Sequence, residues 1–214
     1  MQQNSQPGEK PPPNIAAVLL AAGESRRFGG SKLAQPVNGV AMVQHCLRQL
    51  QPSCESRIVV VLGAHADIIE PLLEGTYCSH CPEYRQGMGR SLAWGVGQAV
   101  TVFNPDAILV SLADQVALTS ADFAALVRAS GGGSTLAAAQ NTVKTGTAES
   151  SLNVGVPAIF PQAYFAPLQA LQGDQGAREI LRRSAHVLQG VSMPHAGIDV
   201  DTPEDLQRFI ASQN

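Results

Sequence analysis

Charge is scarce in this chain of 214 residues: Asp, Glu, Lys and Arg together make up 14%, against about 25% in an average soluble domain. The little charge present is nearly balanced, 14 basic against 17 acidic residues for a net charge of −3. The basic stripe of a nucleic-acid-binding protein is therefore missing. Long apolar runs are missing too, since none approaches the roughly 18 residues that a membrane-spanning helix needs. The N-terminal MQQNSQPGEKPPPN is polar and proline-rich, without the apolar centre of a signal peptide. Neither nucleic acid nor membrane is expected as a partner, and a cytoplasmic location is. Cysteine is sparse: Cys46, Cys54, Cys78 and Cys81 are too few to staple a chain of this length, and they are expected to be reduced.

Apolar residues are not scarce. They supply 44% of the chain, enough for a sizeable core, and the length suits one large domain. Residues 1–14 carry no apolar periodicity and include three consecutive prolines, so they are expected to form a disordered arm before a single domain over residues 15–214.

The domain begins with IAAVLLAAG from Ile15, a continuous apolar run closed by glycine, as in a strand buried on both faces of a parallel sheet. Met42, Val43, Cys46, Leu47 and Leu50 then repeat at helical spacing, and Arg57 to Gly63 repeats the strand-then-glycine pattern. Further strands are expected at Thr76 to His80, Ala107 to Ala113 and Ser134 to Ala139. Helices are expected around Ile68 to Leu73, at Ser91 to Phe103 and at Ala121 to Ala129. This alternation predicts an α/β fold with a mostly parallel sheet and helices on both faces. Between Gln140 and Gly155 the rhythm breaks into Thr, Ser, Gly and Asn, which predicts a loop or hairpin over the sheet. Val156 to Phe160 and His186 to Val191 read as strands, and Gln162 to Leu171 and Ala177 to Arg183 as helices. Thr202-Pro203-Glu204 signals a last helix, with threonine as N-cap and proline at the first helical position.

The segment Leu20-Ala21-Ala22-Gly23-Glu24-Ser25-Arg26-Arg27-Phe28-Gly29-Gly30-Ser31-Lys32 follows the first buried strand and gathers glycines with three cations. Such a loop can turn backbone N–H groups toward an anion while Arg and Lys balance its charge. It lacks the Gly-Lys-Ser/Thr of a Walker A loop and the Gly-x-Gly-x-x-Gly of a dinucleotide fingerprint. It does resemble the signature loop of the molybdenum cofactor nucleotidyltransferases, the MobA-like NTP transferases, whose pattern is Leu-Ala-Ala-Gly-x-Ser-x-Arg-x-Gly-x-x-Lys. Every fixed position is met, by Leu20, Ala21, Ala22, Gly23, Ser25, Arg27, Gly29 and Lys32.

That resemblance implies a Rossmann-like fold of the GT-A type and assigns roles along the chain. Leu20 to Gly23, Ser25, Arg27 and Lys32 would wrap a nucleoside triphosphate, with Arg27 and Lys32 on its phosphates. Gly87 and Ser91, in Gln86-Gly87-Met88-Gly89-Arg90-Ser91 at the mouth of a predicted helix, would fall on the family's Gly-x-x-x-Ser element and contact the base. Asp114, just past a buried strand, would fall on the magnesium-binding aspartate, although Val116 stands where the family usually has proline. Asp199-Val200-Asp201-Thr202-Pro203-Glu204-Asp205-Leu206 is similar to the family's Asp-Ile-Asp-Thr-Pro-Glu-Asp-Leu ending, and Asp201 or Asp199 would share that metal with Asp114. Gly173, Asp174 and Arg178 lie in a Gly-Asp-x-Gly-Ala-Arg element tied to the acceptor side. Leu-Ala-Ala-Gly and this last element favour the cytidylyl-transferring branch. The implied reaction is magnesium-dependent transfer of CMP from CTP to molybdopterin cofactor, with a molybdoenzyme as client. The alternatives are a sugar or alcohol phosphate as acceptor, or a carrier that binds without chemistry.

The sequence also departs from the family pattern. Gly155-Val156-Pro157 replaces the frequent Gly-His-Pro, and Cys81-Pro82-Glu83-Tyr84 stands where asparagine often precedes the proline. Cys78-Ser-His-Cys81 has no second Cys/His pair at zinc spacing, and the remaining histidines are scattered singly.

Overall fold

The computed structural model describes residues 13–144 and 150–213. Strands β1 (Ile15–Ala21), β4 (Ile58–Leu62), β5 (Tyr77–His80), β6 (Ala107–Leu112), β7 (Ala137–Lys144), β8 (Ser150–Pro161) and β9 (Gln189–Ser192) form one sheet in the order β5-β4-β1-β6-β8-β7-β9. The short pair β2 (Pro36–Val37) and β3 (Val40–Ala41) stands apart. All pairings in the large sheet are parallel except those made by β8, which runs against both β6 and β7. The helices are α1 (Met42–Leu50), α2 (Ala66–Ile69), α3 (Met88–Phe103), α4 (Ser120–Ala129), α5 (Phe165–Gln169), α6 (Ala177–Arg183) and α7 (Pro203–Ser212).

Alternation along the strands sorts the core into two layers. Ile15, Ala17, Leu19 and Ala21 of β1 face a cluster with α1, α4 and α7. Ala16, Val18 and Leu20 face the opposite cluster, filled by Leu92, Val96 and Ala99 of α3, Phe165 and Leu168 of α5, and Leu181 of α6. Helices thus cover both faces, which is why β1 and β4 read as unbroken apolar runs instead of alternating ones. Helix α3 lies against β1 and β4 at Gly95, where a Cβ would stand 2.5 Å from Val61 Cγ2 and 2.7 Å from Val18 Cγ1.

Two expectations are corrected. The stretch between Gln140 and Gly155 contributes strands to the sheet itself: β7 and β8 pair in register from Ala137↔Ile159 to Lys144↔Ser150, with one irregularity at Ala138/Ala139. Thr, Ser and Asn carry a weak helical or apolar signal, but their backbones complete the ladder once β6 offers an edge. The expected strand at Ser134 accordingly begins later, at Ala137, and β7 runs on to Lys144. Of the expected N-terminal arm, residues 1–12 lie outside the described residues, whereas Asn14 belongs with the fold. Its backbone N–H donates to Asp106 Oδ2 (2.9 Å) and its amide to the Phe103 carbonyl (3.0 Å).

Chain order places the first crossovers on one side of β1 (β4, then β5) and the next on the other (β6). The carboxyl ends of β1 and β6 therefore flank a topological switch point, where the loops leaving adjacent strands diverge and open a crevice.

Candidate active site

Two loops meet at that crevice. Beyond β1 the chain turns at Ser25, which adopts φ +51° while its carbonyl accepts from the N–H groups of Phe28 (2.9 Å) and Gly29 (3.3 Å). Beyond β6, the Ala113 N–H donates to the Leu20 carbonyl (3.0 Å), extending the ladder until it delivers Asp114 beside the first loop. Val200 joins from the far end of the chain, its N–H donating to the Asp114 carbonyl (3.3 Å).

Lys32 is the centre of this junction and is only 9% exposed. Its Nζ donates to Asp114 Oδ2 (2.7 Å), the Val200 carbonyl (2.9 Å) and Asp201 Oδ1 (3.3 Å). Arg27, whose side chain is 72% exposed, donates to the other Asp201 oxygen at 2.8 Å. A small pocket of about 200 Å³ lined by Gly23, Ser25, Arg27, Lys32, Asp114 and Asp201 lies here. The tail acids divide their work. Glu204 and Asp205 sit in the first turn of α7, and Asp205 accepts from the Thr202 and Asp201 N–H groups (2.8 and 3.1 Å). Hydrogen bonds from Thr202 and the Asp201 backbone, joined by the Arg208 guanidinium, hold the Asp205 carboxyl down at about 2. Asp201 itself turns away from the helix toward the two cations.

A larger cleft of about 930 Å³ adjoins, with Leu20, Met88, Leu92, Asp174, Arg178 and Asp199 among its walls. The Arg178 guanidinium lies alongside Gly155, where a Cβ would stand 3.8 Å from it. Asp199 is pushed up to about 6: the surrounding protein strips it of water and the Asp114 and Asp201 carboxylates repel its charge, while Lys32 and Arg178 pull the other way.

Gly87 and Ser91 are placed otherwise than at an open helix mouth. Gly87, at φ +113°, and Gly89 are pressed against the backbone of residues 172–175, and the Gly89 N–H donates to the Gly173 carbonyl (2.8 Å). Ser91 is buried, 4% exposed. The α3 terminus is thus capped by the element expected on the acceptor side, which no local spacing could reveal.

Sequence reasoning also missed Gln115. Its Nε2 donates to the Val156 (3.1 Å) and Ala196 (3.0 Å) carbonyls, and it is 3% exposed. It ties β8 and the segment before Asp199 to the residue beside Asp114. The signal was faint: a polar residue at the end of a buried strand. Gln115→Leu is expected to destabilise the fold by about 2–3 kcal/mol, because two buried carbonyls lose their donor; a thermal melt checks it, and an unchanged midpoint would contradict the bracing role.

Asp114 Oδ1 is buried and has no hydrogen-bond partner, an atom suited to a cation. Among the described residues no group of three or more His, Cys, Asp or Glu side chains is gathered to hold a metal by itself. That combination fits a magnesium-like ion, which is bound through one or two carboxylates and completed by water and substrate phosphates. The Cys78/Cys81 pair is different in kind: Cys78 packs on one core layer and Cys81 in the other. Burial pushes the Cys78 thiol up to about 11 and raises Cys81 as well. His45, His65, His80 and His195 make structural contacts, such as His65 on the Glu24 carbonyl (3.2 Å) and His195 on Asp122 (3.2 Å). No helix among the described residues is long and apolar enough to cross a membrane.

A mixed sheet covered by helices, with a cation-rich glycine loop and carboxylates at its switch point, suits a nucleotidyltransferase, and the family comparison shows that class. The family profile described as "MobA-like NTP transferase domain" matches residues 17–187, and the chain belongs to that family. The purine catabolism protein PucB of Bacillus subtilis (strain 168) is 30% identical over 207 residues, covering 90% of this chain and 94% of that protein. Among solved structures, Rv0371C of Mycobacterium tuberculosis H37Rv in complex with manganese aligns with a TM-score of 0.70 at 22% identity, over 93% of this chain and 99% of that one. A CMP:2-keto-3-deoxy-manno-octonic acid synthetase complexed with CTP aligns with a TM-score of 0.71 at 14% identity, over 94% and 98%.

Proposed function

We propose that this protein transfers CMP from CTP to the phosphate of molybdopterin cofactor, releasing pyrophosphate, with Mg²⁺ as the metal. The observation that carries the reading is the convergence of Lys32, Arg27, Asp114 and Asp201 beside a cleft of about 930 Å³. That volume is near the top of the roughly 300–1,000 Å³ usual for small-molecule sites, and it leaves room for a bulky acceptor next to a nucleotide.

Nucleotidyl transfer is an in-line displacement at the α-phosphorus. The acceptor phosphate oxygen forms the new P–O bond as the bond to pyrophosphate breaks, and the electron pair leaves with pyrophosphate. The enzyme needs no nucleophile of its own; it must position two anions and offset their charge. Gly23 and Ser25 let the loop wrap the triphosphate, and Lys32 and Arg27 stabilise the charge on the leaving pyrophosphate. Arg178, on the cleft wall, receives the acceptor phosphate, with Gly173 and Asp174 shaping that side. Asp114, with Asp201 or Asp199, would hold the metal, which would supply charge neutralisation to the reacting phosphates.

The choice of CTP rests on Leu20-Ala21-Ala22-Gly23 and on Gly173-Asp174-Gln175-Gly176-Ala177-Arg178; the CTP-bound synthetase supports it only in that the same fold accommodates that nucleotide. Delivery to a molybdoenzyme client belongs to the same reading. PucB's name places that relative in purine breakdown and specifies neither acceptor nor nucleotide. A sugar phosphate is the second acceptor reading, favoured by Gln140, Asn153 and Ser192 on the cleft wall, neutral polar groups that suit hydroxyls. The test is pyrophosphate release with Mg²⁺ and molybdopterin cofactor from CTP, GTP, ATP and UTP in parallel. CTP is expected to lead by at least about 10-fold in kcat/KM; equal use of all four would overturn the cytidylyl assignment, and release only with sugar phosphates would overturn the acceptor.

A further inference from the structure

Residues 172–178 and the first turn of α3 meet more closely than side chains would allow. An ideal Cβ on Gly89 would stand 2.5 Å from the Gln175 carbonyl oxygen and 2.9 Å from those of Gln172 and Gly173, all of them backbone atoms. A Cβ on Gly87 would stand 2.4 Å from the Gly173 carbonyl. The Gly89 N–H donates to Gly173 at 2.8 Å, satisfying one of the helix's orphan donors through a distant carbonyl. On the far side of this contact the chain enters α6; Asp174 and Gly176 before the helix and Ala177 and Arg178 in its first turn line the cleft beside Met88 and Leu92 of α3, with Asp199 among its other walls.

We propose that Gly89 is a positioning residue for the acceptor: by admitting the 172–175 backbone against α3, it sets Asp174 and Arg178 at their places on the cleft wall. This rests on the reading of the cleft as an acceptor site and goes further, because Gly89 is not among the residues that line the cleft and acts on it only through the 172–175 backbone. The contact lies outside the pocket formed by Lys32, Arg27, Asp114 and Asp201, so its loss separates the acceptor from the triphosphate. A methyl group on residue 89 meets three carbonyl oxygens that belong to main chain and cannot rotate aside. The 172–175 segment must retreat, and Arg178, three residues further on, retreats with it.

The test compares Gly89→Ala with Gly97→Ala in the full chain. Gly97 lies on the same helix, where the nearest atom to an added Cβ is the Gln169 amide nitrogen at 3.9 Å; the second change therefore controls for helix propensity alone. For Gly89→Ala the KM for molybdopterin cofactor is expected to rise at least about 10-fold, as a misplaced anchoring group does. The Kd for a non-hydrolysable CTP analogue, measured by calorimetry, is expected to stay within about 2-fold of the wild type, with Gly97→Ala unchanged in both. A crystal structure of Gly89→Ala should show the Gly173 carbonyl withdrawn from residue 89. An unmoved segment, an unaltered acceptor KM, or CTP affinity falling in step with the acceptor's would each overturn the proposal. If the wild type transfers nothing to molybdopterin cofactor, the acceptor reading fails instead, and the role of Gly89 is then decided by the structure of the variant and its CTP affinity. Should Gly89→Ala not fold, hydrogen exchange in the wild type decides: molybdopterin cofactor should protect amides 172–178 and CTP alone should not, and protection by CTP alone would sink the idea.

Discussion

Replacing Asp114 with asparagine is expected to lower kcat/KM for pyrophosphate release about 10³-fold or more while leaving the fold intact. Asparagine keeps the shape of the side chain and an oxygen for Lys32, whose Nζ lies 2.7 Å from Asp114 Oδ2. What it removes is the negative charge at Oδ1, the buried oxygen that no protein donor satisfies. A metal that polarises phosphate oxygens contributes several kcal/mol to the transition state, and each 1.36 kcal/mol is a factor of ten in rate. The thermal midpoint should move by no more than a few degrees, because the carboxylate is partly solvated, at 21% side-chain exposure. Steady-state release and a melt on the same preparation check both halves. Undiminished activity would remove Asp114 from the metal site. Intact CTP binding by a wild type that never releases pyrophosphate would favour the carrier reading over the enzyme.

Lys32→Met should cost almost as much, for a different reason. The ammonium is buried between Asp114 and Asp201, so the loop's charge is presented from a fixed point that need not reorganise when pyrophosphate leaves. Loss of one such group typically lowers kcat about 10²–10³-fold. Stability should fall too, by about 1–3 kcal/mol. That is less than the ~3–5 kcal/mol for breaking a sealed pair, because Asp114 and Asp201 retain contact with water. Lys32→Arg is not expected to rescue activity, since a planar fork does not fit a pocket built around a point charge. Arg27→Met, at a side chain 72% exposed, should be milder, about 10-fold or less in kcat/KM. Equal losses at both positions, in the same pyrophosphate assay, would refute this ranking of the two cations.

Much of this arrangement was legible from local pattern. The apolar runs of β1, β4 and β6 are long because helices cover both of their faces, and burial on two faces leaves no polar alternation to confuse the reading. Helices α1 and α6 fall at their expected residues, and α7 begins where Thr202 and Pro203 signal it, since capping is a matter of neighbours three positions apart. The β7–β8 hairpin was less legible, because Thr, Ser and Asn enter a sheet only when an edge is already there to receive them.

The candidate site divides in the same way. Its loop, from Leu20 to Lys32, is a contiguous string whose match to the family signature is read without reference to the rest of the chain. By itself the sequence determined the strand-and-helix rhythm, the loop chemistry and the acids worth watching. Tertiary structure decided which of those acids Lys32 meets, that Asp201 faces the cations while Asp205 caps α7, that Gln115 braces Val156 and Ala196, and that α3 is closed by residues 172–175 instead of standing open. Apart from the local Asp205 cap, each of these contacts joins residues distant in sequence, and such partners are chosen by sheet order and helix packing, on which short-range spacing is silent.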